Sequence, residues 1–199
     1  MYKNTIFKGT VMKNIVFVLF LFVSNILFAQ IAQKDSVLGS GIVFGANHAF
    51  TITAPAGWVL DNKSGIPQGL QAVFYPKGGS WENSLAVMYA NAVEKNENDG
   101  TTFNRVIYAD TSKFMAEHKE GHVAAIQTLT TKDNKKAKVI MYIYSNYEAA
   151  AFIDEPKVVS MLVLTARSEK EFKKAVPAFK ELVASYFYLT SDVIHNKAN

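Results

Sequence analysis

Two histidines four residues apart, in His118-Lys119-Glu120-Gly121-His122, are the first candidates for chemistry in this chain. On one helix they would share a face and could hold zinc, which takes four ligands in a tetrahedron. Gly121 reads as a helix stop between them, which removes the shared face, and no third ligand stands nearby. Cysteine is absent, so thiolate ligands, thiol nucleophiles and disulfides are excluded together. No metal site and no cofactor are expected.

The acids and serines give no stronger pattern. Ser40 lies between Gly39 and Gly41, which is not the Gly-x-Ser-x-Gly spacing of a strained nucleophile turn. A triad also needs a base and an orienting acid, and the chain offers 4 histidines. Glu94, Glu97 and Asp99 approach a calcium loop, but Lys95 falls where the first acid ligand belongs. Asp154 and Glu155 are adjacent in a turn, so they are expected to point apart into water rather than to flank a glycosidic bond. No catalytic residue is assigned.

Aromatic side chains are the remaining signal. Trp58, Tyr75, Trp81, Tyr89, Tyr142 and Tyr144 fall in or beside strand-like runs. Ligand sites are mostly apolar with a few polar tips, so these six are the candidate ligand- or partner-binding residues. The competing reading is that they fill the core, which aromatic residues dominate. Trp58 and Trp81 read as loop residues, where contact with a partner is commonest.

The elements that position these residues are legible from period and punctuation. Gly41–Ala46 and His48–Thr53 read as a hairpin turning at Gly45 to Asn47. Gln71–Tyr75 and Ser84–Val93 read as strands, the second apolar on both faces. Residues 101–121 read as helical, with Asp110 as the cap of a possible second segment. Val123–Thr131, Ala137–Asn146, Glu148–Ile153 and Val158–Arg167 are joined by short polar turns and form a meander. Ser168-Glu169-Lys170-Glu171 is a capping box, and the residues from Phe172 to Tyr186 give one apolar helical face. Pro177 within it removes a hydrogen bond and is expected to kink or split the helix.

This order of elements is an α+β design: an antiparallel sheet flanked by helices, as an α/β/α sandwich. Ala49-Phe50-Thr51-Ile52-Thr53-Ala54-Pro55-Ala56-Gly57-Trp58 and the closing Phe172 to Tyr186, with Pro177-Ala178-Phe179 and Ser185-Tyr186-Phe187, resemble the PsbP-like superfamily. The resemblance implies a compact antiparallel sheet between helices, generally without catalytic machinery. It implies proteins that act as extrinsic subunits or binding modules, many of them exported in bacteria. No functional residue of that family matches a position here.

The N-terminus sets the expected compartment. Met12-Lys13-Asn14 precedes an apolar run of 15 residues, Ile15 to Ala29, broken by Ser24 and Asn25. That is too short for a span of roughly 20 residues, and it has the layout of a secretory signal peptide cut between Ala29 and Gln30. Residues 1–29 are thus read as leader and 30–199 as one domain, periplasmic or secreted, with no stable membrane anchor after cleavage. Loss of Lys3, Lys8 and Lys13 with the leader takes the formal charge from +4 to +1. Such a charge gives no electrostatic case for nucleic acid. The expected function is that of an exported, non-enzymatic binding or accessory protein, contacting an envelope protein or a small apolar ligand. The alternatives are an envelope hydrolase with an unrecognised site near His118 or His122, and a self-associating structural protein.

Overall fold

The computed structural model describes residues 39–193 apart from Glu97. The predicted leader, its cut after Ala29 and the chain up to residue 38 lie outside the described residues, as does the tail from residue 194. Alternation produces the first hairpin, β1 (Ser40–Gly45) and β2 (His48–Thr53), in the register Gly45↔His48 to Ser40↔Thr53. Gly45 is needed there, because a Cβ would lie 2.4 Å from the His48 ring. The chain then turns at Gly57, whose φ of +78° suits glycine, and enters β3 (Trp58–Asp61).

Seven strands build the main sheet. After β3 come β4 (Ala72–Pro76), β5 (Ala86–Glu94), β6 (His122–Thr130), β7 (Lys136–Ile143), β8 (Tyr147–Asp154) and β9 (Val158–Ala166). Their spatial order is β3-β4-β5-β9-β8-β7-β6, with every neighbouring pair antiparallel. β9 lies in the centre and is buried along both faces from Val158 to Leu164, as its unbroken apolar run requires.

Two helices cover the sheet on opposite faces. α1 (Phe103–Glu117) starts at Thr102, whose hydroxyl accepts from the Arg105 N–H at 3.4 Å. α2 (Glu169–Ser185) starts at Ser168, whose hydroxyl accepts from the Glu171 N–H at 3.3 Å. α2 buries Phe172, Ala175, Phe179, Leu182 and Val183 against Phe74, Met88, Leu162 and Leu164. Each of its large side chains contributes about 1.5–3 kcal/mol by leaving water. β10 (Phe187–Thr190) follows α2 and pairs with β2, making a three-stranded sheet β1-β2-β10 that completes the cover on this face. The other face carries Ile140, Tyr142, Phe152, Val159, Met161 and Val163 and is covered by α1 through Val106 and Ile107. The molecule is therefore α+β, with the main sheet held between layers. Among the described residues no helix is long and apolar enough to cross a membrane.

Several sequence expectations change. The opening hairpin leaves the main sheet and becomes part of its cover, because Phe50 and Ile52 belong to the α2-side core. Trp58 is the first residue of a strand rather than a loop residue, and it packs partly buried against that same core. α1 is one helix, not two, and Asp110 lies within it. Pro177 does not split α2: it sits on the exposed side, where the carbonyl of Lys173 that loses its partner meets water. Gly121 is not the helix stop, since α1 ends at Glu117 with His118 as its cap. It is glycine for space, because a Cβ would lie 2.8 Å from the Phe114 ring.

Candidate functional site

The face beneath α1 is where polar chemistry meets aromatic rings. One helical turn past the buried pair Val106 and Ile107, Asp110 reaches the sheet and accepts a hydrogen bond from the Tyr142 hydroxyl at 2.7 Å. The Thr111 hydroxyl lies 3.2 Å from the same phenol oxygen. Tyr142 stands opposite Glu148 on β8, and Glu148 stands opposite Thr165 on β9. The ladder thus brings Glu148 into the row directly under the helix.

Burial governs the electrostatics here. It pushes the Glu148 carboxyl up to about 7, and the nearby charge of Asp110 adds to the rise. Burial also raises Asp110, against the opposing effects of the Tyr142 hydrogen bond and Lys113. The Tyr89 phenol is held well above its ordinary range by burial and then by the charges of Glu148 and Asp110. Two carboxyl groups and their phenol neighbours thus share a poorly hydrated space, and one carboxyl exchanges its proton near neutrality.

Four of the six aromatic candidates lie on this face. Phe114 of α1 packs at a tilt of 38° against Tyr142, 4.6 Å between ring centres, and meets Tyr144 edge-on at 5.4 Å. His118 stacks on Tyr144 at 4.1 Å. Trp81 meets Tyr89 edge-on at 6.3 Å. The other two are remote, near the β3 edge: Trp58 pairs with Pro76, and the Tyr75 hydroxyl donates to Asp61 at 3.0 Å. Asp61 is held down at about 2, chiefly by the N–H of Ser64.

Beside this cluster runs an apolar groove between α1 and the strands β6 and β7. It encloses about 280 Å³ and is walled by Ile107, Tyr108, Thr111, Val123, Ile126 and Ile140, with Asn104 and Lys138 at its margin. Thr111 belongs to both the groove and the Asp110–Tyr142 pair, so the two adjoin. On the rim Tyr108 is 67% exposed and Ile126 64%.

The other candidates for chemistry are accounted for by local bonding. His118 caps α1, while His122 is exposed at the start of β6. Among the described residues no three His, Cys, Asp or Glu side chains converge on a metal position. Asp99 accepts from the Thr101 N–H at 3.0 Å and its hydroxyl at 2.6 Å, which closes the acidic loop on itself. Asp154 and Glu155 point apart, as expected, but only Asp154 is in water, paired with Lys95 at 2.8 Å. Glu155 is buried against Lys135 and Tyr186, because the turn after β8 folds its side chain under the small sheet. Ser40 lies in β1, its hydroxyl 3.2 Å from that of Thr53.

Sequence reasoning missed Asp110 and Glu148 as parts of one site. The signal for Glu148 was present, since it is the one acid at the head of an Ala149-Ala150-Ala151-Phe152 run buried on both faces. Its parity with Tyr142 follows from the short turn between β7 and β8.

No family model and no curated protein matches the chain. Among solved structures it is similar to the solution structure of cyanobacterial PsbP from Synechocystis, at 12% identity over 76% of this chain and 94% of that one, with a TM-score of 0.49. It is also similar to the Ran-binding protein Mog1p of Saccharomyces cerevisiae, at 10% identity over 78% and 97%, with a TM-score of 0.46. A protein of unknown function from Pseudomonas aeruginosa gives 10% identity over 72% and 92%, with a TM-score of 0.40.

Proposed function

We propose that the protein is an exported, non-enzymatic binding protein that takes an apolar group of an envelope partner or a small ligand into the groove beside α1. The observation that carries this reading is the groove itself: an open apolar recess whose rim residues Tyr108 and Ile126 are more than half exposed. Contiguous exposed apolar surface of this kind marks interaction sites. Export follows from the leader-like residues 12–29. Thr111 in the groove wall lies 3.2 Å from the Tyr142 hydroxyl, which places the Asp110–Tyr142 pair beside the groove.

Native mass spectrometry of the protein, isolated from its host under mild conditions, tests this. An added mass on the wild type should be lost in Tyr108→Asp with an unchanged melting temperature. A small added mass identifies a ligand and a protein-sized one a partner. An added mass that Tyr108→Asp leaves in place, or a bare chain throughout, removes the groove as the binding site.

A second reading, an envelope hydrolase, draws on Glu148 rather than on the histidines. A carboxyl that titrates at about 7 is matched to general acid–base work near neutral pH. Turnover in an ester, phosphoester and glycoside screen that disappears in Glu148→Gln supports it. Turnover absent from the wild type, or unchanged by Glu148→Gln, removes it.

A further inference from the structure

The groove beside α1 has two unlike ends. At one, Thr111 meets the Tyr142 hydroxyl, which donates to Asp110 beneath the helix. At the other stand Asn104, two helical turns or roughly 10 Å back along α1, and Lys138, two alternations back along β7. Lys138 shares the strand parity of Ile140 and Tyr142, so its half-buried side chain lies on the face under α1. It is the one charged side chain in the groove wall.

Asn104 also lines a second recess, of about 500 Å³, at the start of α1. Around that recess the charged side chains are Lys95, Lys157 and Asp154. Lys95 and Asp154 pair with each other at 2.8 Å. Among the described residues neither Lys157 nor Lys138 has an ion-pair partner. The apolar groove therefore adjoins, at its Asn104 end, a polar space with an excess of positive charge. Its Thr111 end leads instead to a buried acid.

We infer that the groove takes a single-chain amphiphile with an anionic head, of the class of a short acyl carboxylate, its chain between Ile107 and Ile140 and its head at Lys138 and Asn104. This class and orientation rest on the groove being the binding site. Charge selects the occupant. A cationic head would be repelled by Lys138 and Lys157, and at the far end Asp110 is already engaged by Tyr142. A neutral chain would strip water from the Lys138 ammonium and return no partner, which is costly. An anionic head replaces that water with a charge-assisted hydrogen bond. Size selects one chain, because about 280 Å³ is at the small end of ligand sites, which run from roughly 300 to 1,000 Å³.

Calorimetric titration of the protein isolated from its host with octanoate, octanol and octyltrimethylammonium tests this. Octanoate should bind at least about tenfold more tightly than octanol, as a hydrogen bond to a charged group allows, and the cation should bind most weakly. Lys138→Gln should abolish the preference for octanoate and leave octanol binding and the melting temperature as they were. Lys138→Glu should turn the preference toward the cation. Tyr108→Asp should weaken octanol and octanoate alike. Octanol bound as tightly as octanoate, or a preference that survives Lys138→Gln, overturns the inference, and the groove stands as the site if Tyr108→Asp still weakens binding. Octanoate binding indifferent to Tyr108→Asp removes the groove and the inference together. No binding of any probe also overturns the inference, and a protein-sized mass lost in Tyr108→Asp then assigns the groove to a protein partner.

Discussion

The Tyr186 hydroxyl donates to the Glu155 carboxylate at 3.0 Å, and neither residue exposes more than 1% of its surface. The Ser160 hydroxyl lies 2.9 Å from the same phenol, and Lys135 binds the other carboxylate oxygen. Lys135 also sits 4.6 Å from the centre of the Tyr188 ring. One buried acid thus joins the β6–β7 turn, the β8–β9 turn, the end of α2 and the small sheet. Burial raises the Glu155 pKa, and its bonds to Lys135 and Tyr186 work against that rise.

Tyr186→Phe removes the hydroxyl and leaves two buried partners short of a bond. Its cost should be about 1–3 kcal/mol, read as a lower midpoint in urea with an unchanged slope. A loss below a few tenths would mean that the phenol bond is replaced by water.

Glu148 predicts a pH dependence. Its pKa is about 7 in the folded protein against 4.5 for the free group, so the folded state binds the proton more tightly. This contribution is fully present below about 4.5 and is lost as pH rises to about 7. Glu148→Gln should flatten the stability curve over that window and be the more stable form at pH ~8, by on the order of 2–3 kcal/mol. Denaturation curves at several pH values measure it, and parallel curves for the two forms would show that Glu148 is hydrated when folded.

Pro177→Ala should restore the hydrogen bond to Lys173 inside α2 at an exposed position. A gain of about 1 kcal/mol is expected, less than the ~3 kcal/mol helix penalty of proline because the freer unfolded chain offsets part of it. A thermal melt reads it. A fall in melting temperature would show that the proline ring at 177 is needed for the fit of Phe172 and Phe179.

Much of the fold could be read from period and punctuation, and the errors have local causes. β9 and α2 were plain because one lacks alternation and the other has a cap followed by an apolar stripe. β3 was hidden because four residues after a Pro-Ala-Gly turn give no period to count. Asp110 read as a cap because an acid between apolar residues fits a helix start as well as an inward-facing polar contact. The carboxyl–tyrosine site depends on strand order: β7, β8, β9 and β5 become neighbours only in the folded sheet. Glu155 was read as wet because turn acids usually are, and no local pattern shows that Tyr186 and Lys135 will close over it.

The two faces of the main sheet are covered unequally. α1 holds through Val106 and Ile107 and a long Thr102 cap, whereas α2 holds through five buried side chains. Free energy of opening scales with the apolar surface an element must expose, so the helices belong to different cooperative units. α1 should detach in subglobal openings that leave β5, β7, β8, β9 and α2 intact, with its amides exchanging well before those of the central strand. Each such opening wets Asp110, Tyr142 and Glu148 at once, which couples proton loss from Glu148 to the release of a single helix.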